Sequence, residues 1–217
     1  MRLLRRLAFS LVLASLALTL NSCALIAWIV AVINPPQKVE AKFEPPAEKK
    51  MLVFVDLTQV DTPQPLRGAL TEAINEQLLE NEVAESVVPY EDLLDLSATM
   101  DGFDRATPAR IGRELEAEYV CHVLVHRFTV KEDEVGPLWE GHLDVSVSMV
   151  DVEEGEIAWP KGEDGGWRLR PIKTPLTDDP SPDFGPKLTG DLANRMADRI
   201  AKLFYDHRAV VEPELPD

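Results

Sequence analysis

Cys121, His122, His126 and His142 are the residues whose types and spacing are closest to chemistry. The first three precede a charged turn, Glu132-Asp133-Glu134-Val135-Gly136, and His142 follows it. If Val130 pairs with Leu138 across that turn, His126 lies directly opposite His142 and His122 faces Ser146. Directly opposite Cβ atoms are about 5 Å apart, near enough for two imidazoles to share a metal ion. His122 and His126 alone are not, because four strand residues span about 13 Å. Two ligands without a third make a poor zinc site, so the plainer reading is two surface histidines near Glu140 and Asp144. Cys121 lies in an apolar strand pattern, where a lone thiol is more often a small core residue than a nucleophile. The chain has no His-Glu-x-x-His, no Gly-x-Ser-x-Gly, no phosphate-binding Gly-rich run and no paired-cysteine metal site. Asp178, Asp179 and Asp183 lack the spacing of an EF-hand loop. No catalytic residue, metal or cofactor is expected, and the chain is read as a non-enzyme.

Two strands must carry these histidines. In Leu138 to Val152, Trp139, Leu143, Val145, Val147 and Met149 alternate with Glu140, Asp144, Ser146 and Ser148. This is the period-two pattern of a sheet wet on one face. Tyr119 to Val130 is its hairpin partner, dense in β-formers. The odd-numbered face, with Val123, Val125, Leu143, Val145 and Val147, is expected in the core. The even-numbered face, with Leu124, His126, Phe128 and His142, is the candidate interface, unless the long Gly, Pro and Asp-rich loop 160–186 covers it.

Earlier in the chain, Met51 to Asp56 reads as a buried central strand. Leu66, Leu70, Ile74 and Leu78 mark a helix over Leu66 to Asn81. Ser86-Val87-Val88 suggests a short strand, and Tyr90 to Leu96 a short helix. Thr107-Pro108 is a helix start. Trp167 to Arg170 suggests an edge strand, and a last helix is expected from Lys187 to His207. The order fits an α/β (α+β) two-layer domain, a mixed sheet with a long antiparallel hairpin and helices on one face.

In front of it runs Leu7 to Ile33, 27 residues without a charge, after Arg2, Arg5 and Arg6. Leu20-Asn21-Ser22-Cys23 resembles the bacterial lipobox, in which the cysteine is lipidated, with Asn21 departing from the pattern. The run also suits an uncleaved transmembrane helix, at about 40 Å against the ~30 Å core of a bilayer. Both readings leave the arginines in the cytoplasm and put the domain on the extracytoplasmic, periplasmic side. The expected division is a membrane segment over 1–33, a Pro-rich tether over 34–50, the domain over 51–207 and a flexible tail over 208–217. From Met51 on, 15 Lys and Arg face 35 Asp and Glu, a net of −20. Nucleic acid is therefore a poor partner.

Ile111-Gly112-Arg113-Glu114-Leu115-Glu116-Ala117-Glu118-Tyr119-Val120 resembles an isoleucine-glycine turn of helix feeding a strand. Val150-Asp151-Val152 with Gly155-Glu156-Ile157-Ala158-Trp159 resembles the later strands of the same domains. They belong to an envelope superfamily that includes the TolB N-terminal domain, the curli-secretion lipoproteins and the lipoprotein activators of penicillin-binding proteins. The resemblance implies a non-enzymatic, membrane-tethered domain that binds another envelope protein, as an assembly factor or regulator. The alternatives are a hydrolytic or metal-dependent enzyme using the His126/His142 face, and a subunit of an export complex.

Overall fold

A run such as Met51-Leu52-Val53-Phe54-Val55 has no polar face, so it folds stably only where both of its sides are covered. The computed structural model describes residues 37–46, 48–60, 65–132, 138–162, 165–174, 177–178 and 183–209. Two units are present, Met1–Val39 with His207–Asp217, and Glu40–Asp206. Strand β1 (Lys38–Val39) belongs to the first. In the second, the apolar run is β2 (Lys50–Asp56), followed by helix α1 (Pro65–Glu80), β3 (Ser86–Val87) and α2 (Tyr90–Thr99). A single 3₁₀ turn leads to α3 (Pro108–Glu114), then the hairpin β4 (Tyr119–Glu132) and β5 (Leu138–Asp151). Strand β6 (Ile157–Trp159) and the short β7 (Trp167–Arg168), β8 (Ile172–Lys173) and β9 (Thr177–Asp178) come next, and α4 (Phe184–Ala201) closes the unit. In the first unit β10 (His207–Arg208) pairs antiparallel with β1, Lys38 against Arg208 and Val39 against His207.

The sheet runs β3-β2-β4-β5-β6, with β7, β8 and β9 also paired to β5. β2 is parallel to β3 and β4, and β5 is antiparallel to β4, so the mixed α/β class expected from the sequence is observed. On one face, Val53, Val55, Val123, Val125, Leu143, Val145 and Val147 meet Leu66, Leu70, Ile74 and Leu78 of α1 and Leu192, Met196 and Ile200 of α4. All of these are fully buried. The odd-numbered side of the hairpin is therefore the main core, as its alternation predicts.

The other face is covered at one end. Leu52, Val120 and Val150 alternate with the core residues and pack under Leu93 of α2 and Ala109 and Ile111 of α3, forming a smaller second cluster. The helices are thus not confined to one face. Loop 160–186 runs back along the edge of β5: Trp167 pairs with Val147, Ile172 with Leu143 and Thr177 with Trp139. The Trp167 edge strand is present. The last helix ends at Ala201, before the expected His207, because Leu203 and Phe204 donate backbone N–H to Ile200 and Ala201 in tight turns.

Candidate functional site

The second face, beyond α3, is where the predicted interface residues were to gather. The hairpin register decides which of them do. Up to Val125, β4 pairs with β5 as Val123↔Val147 and Val125↔Val145. From Arg127 it pairs as Arg127↔Asp144 and Phe128↔Leu143. His126 is the extra residue of a β-bulge, which bends the strand and re-aims its side chain. Thr129, not His126, is opposite His142, and Ser148, not Ser146, is opposite His122. The predicted His126/His142 pair is therefore not formed. The slip also turns Phe128 over: it packs, half-buried, against the main core. Of the four predicted interface residues, Leu124, His126 and His142 share the second face and Phe128 does not. Among the described residues no cluster of His, Cys, Asp and Glu is arranged to hold a metal.

The alternation of β5 predicts wet even positions. Glu140 is exposed, but Asp144 is only 6% exposed, Ser146 2% and Ser148 5%. Each such group needs a partner to offset its lost hydration. Asp144 accepts from Nη2 (2.5 Å) and Nε (3.3 Å) of Arg168, which β7 sets beside it. Ser146 Oγ is 2.9 Å from His126 Nε2, and His126 Nδ1 is 3.0 Å from Oε1 of Gln59. His122 Nε2 meets Asp56 Oδ2 at 3.4 Å, its ring stacked on Phe54. The His142 Nε2 atom is buried without a partner; burial, then the nearby Arg127 and Lys173 charges, disfavour its protonation.

Ser146, Ser148 and His122 also line a cleft of about 250 Å³. His122 and Leu124 of β4 and Ser146, Ser148 and Val150 of β5 form the base. Thr107 to Ala109 at the start of α3 make one wall, and Gly155 to Ile157 with Gly165-Gly166 make the other. α3 starts there because Thr107 Oγ1 accepts the Arg110 N–H at 3.3 Å and Pro108 suits the first turn. Gly166, at φ +72°, presses so close to β5 that a Cβ would lie 2.9 Å from the Val147 carbonyl oxygen. Among the described residues, the loop thus builds a wall of the cleft. Sequence reasoning set Ser146 against His122 instead of His126 and missed Gln59 and Arg168; no spacing rule links positions so far apart.

No family model matches the chain, and no curated protein does. Among solved structures it is similar to the PelC dodecamer from Paraburkholderia phytofirmans, at 12% identity and a TM-score of 0.44, covering 79% of this chain and 99% of that one. It is also similar to a lipoprotein from Neisseria meningitidis, at 13% and 0.41, covering 69% and 98%. A minor lipoprotein from Acinetobacter baumannii gives 10% and 0.38, covering 72% and 92%. Similarity at this level does not place the chain in any of their families. The expected lipidation site, Cys23, lies outside the described residues. Among the described residues no helix is long and apolar enough to cross a membrane.

Proposed function

We propose that the chain is a membrane-anchored protein of the cell envelope whose domain, on the periplasmic side, binds another envelope protein through the second-face cleft. The observation that carries this is the cleft itself, which mixes apolar and hydroxyl-bearing lining as recognition surfaces do. Ile157, 40% exposed, and half-buried Leu124 both line it. The anchoring half of the proposal rests on the apolar run Leu7 to Ile33 and on Cys23.

A photo-crosslinking residue at position 157 tests it. It should capture a discrete partner in intact membranes, and Leu124→Arg should remove that adduct without shifting the melting temperature. The same crosslinker at Leu79, exposed on α1, should capture nothing in common. An adduct that survives Leu124→Arg, or appears equally from position 79, overturns the cleft as the interface.

A further inference from the structure

We propose that Ser146 is a nucleophile toward carboxylic esters bound in this cleft, with His126 as its base and Gln59 orienting the base. This rests on the cleft being a binding site, as proposed above, and adds a reaction at its floor.

The hydrogen-bond geometry fixes the roles. Gln59 Oε1 can only accept, so its 3.0 Å contact puts the imidazole proton on Nδ1 of His126. In the neutral imidazole Nε2 then carries the lone pair, and the Ser146 hydroxyl donates to it across the 2.9 Å contact. A nucleophile within hydrogen-bond reach of a base, itself held by a third group, is the general arrangement for activating a serine. The three come from separate places: the turn after β2, the bulge of β4 and the middle of β5. His126 is the extra residue of the bulge, so its side chain is not held to the regular register summing to 270, in which position 126 faces position 144 and has Ser146 as a diagonal neighbour.

The rest of the site suits an ester. Ser146 lines the cleft although it is almost fully buried. Thr107 Oγ1 already accepts from Arg110 N–H, so its own proton is left to donate, and Ser148 adds a second hydroxyl in the same cleft. Both hydroxyls line the cleft that Ser146 lines, and hydroxyl donors of this kind are what an oxyanion needs. In the reaction, Ser146 Oγ bonds to the acyl carbon as its proton passes to His126 Nε2. The intermediate collapses, breaking the ester C–O bond, and the leaving alkoxide takes that proton. Water then adds to the acyl-Ser146, giving its proton to His126. Collapse releases the carboxylic acid as Nε2 returns the proton to Oγ. Gln59 is neutral, so it holds the tautomer without the charge stabilisation a carboxylate would give the imidazolium. That favours esters over amides, whose leaving groups demand more of the acid.

The test treats the full chain, in detergent, with a fluorophosphonate probe and maps the adduct by peptide mass spectrometry. The expected adduct is on Ser146, absent after denaturation. His126→Ala should slow labelling on the order of 100-fold, and Ser97→Ala, outside the cleft, should leave it unchanged. Gln59→Glu should speed it. No adduct on Ser146 of the folded wild-type chain, which needs no variant to fold, overturns the proposal. So does labelling indifferent to His126→Ala. If the position-157 crosslink persists while Ser146 stays unlabelled, only the nucleophile fails; loss of both sinks the cleft as a binding site too.

Discussion

Asp56 ends β2 beside the cleft floor, accepting the Thr58 N–H at 2.8 Å and lying 3.4 Å from His122 Nε2. Partial burial alone would push its carboxyl up. The hydrogen bonds from His122 and Thr58 outweigh it and hold the group down at about 2. A carboxyl whose folded value lies below its unfolded one stabilises the fold above the unfolded value and loses that contribution as pH falls toward the folded one. From the ordinary aspartate value of ~3.9 the difference corresponds to roughly 2–3 kcal/mol. Thermal melts of the wild type should therefore fall between about pH 4 and pH 2, and Asp56→Asn should lack that part of the fall. Equal acid sensitivity in the two proteins would show that the Asp56–His122 contact contributes nothing in solution. Cys121 is the opposite case. Full burial pushes its thiol up to about 12, which removes the thiolate that reactivity needs.

At the scale of elements, α3 is the piece on which the cleft wall depends. It is seven residues long, too short to hold itself, and it is fixed by close approach to the sheet. A Cβ at Gly112 would lie 2.7 Å from methyl groups of both Val120 and Val152. Gly112→Ala should therefore force α3 off β4 and β5 and cost about 1–3 kcal/mol, read as a lower denaturant midpoint at unchanged slope. No loss would mean that α3 rides freely. Much of this was legible: Thr107-Pro108 announces the start of α3, and the strict alternation of β5 sorts Leu143, Val145 and Val147 to the core. The bulge was not. Val123, Leu124 and Val125 are all apolar, so β4 gives no parity from which a slip at position 126 can be read. Phe128 was consequently assigned to the wrong face. The burial of Ser146 and Asp144 was hidden for a related reason. Their covers, His126 and Arg168, come from the bulge and from a strand inside the long loop, 20 and 24 residues away.

Over the whole molecule, a chain whose domain carries a net −20 is joined to a segment of 27 uncharged residues. Anionic headgroups repel such a domain, so the membrane attachment proposed above would have to come from the N-terminal segment. An acyl anchor at Cys23 and a helix spanning Leu7 to Ile33 both accomplish it, and they differ in what happens to Met1. Lipidation cleaves the chain before Cys23, so Cys23→Ala should leave an unprocessed, longer precursor and lose labelling by a fatty-acid probe, with the domain still folded. In a spanning helix the same change replaces one small residue with another in an apolar run, and nothing should move. A mature wild-type protein that keeps Met1, or labelling that survives in Cys23→Ala, would remove the acyl anchor and leave the helix. The arginines at positions 2, 5 and 6 predict the same outcome for orientation in either case: a protease added outside the cytoplasm should reach the domain.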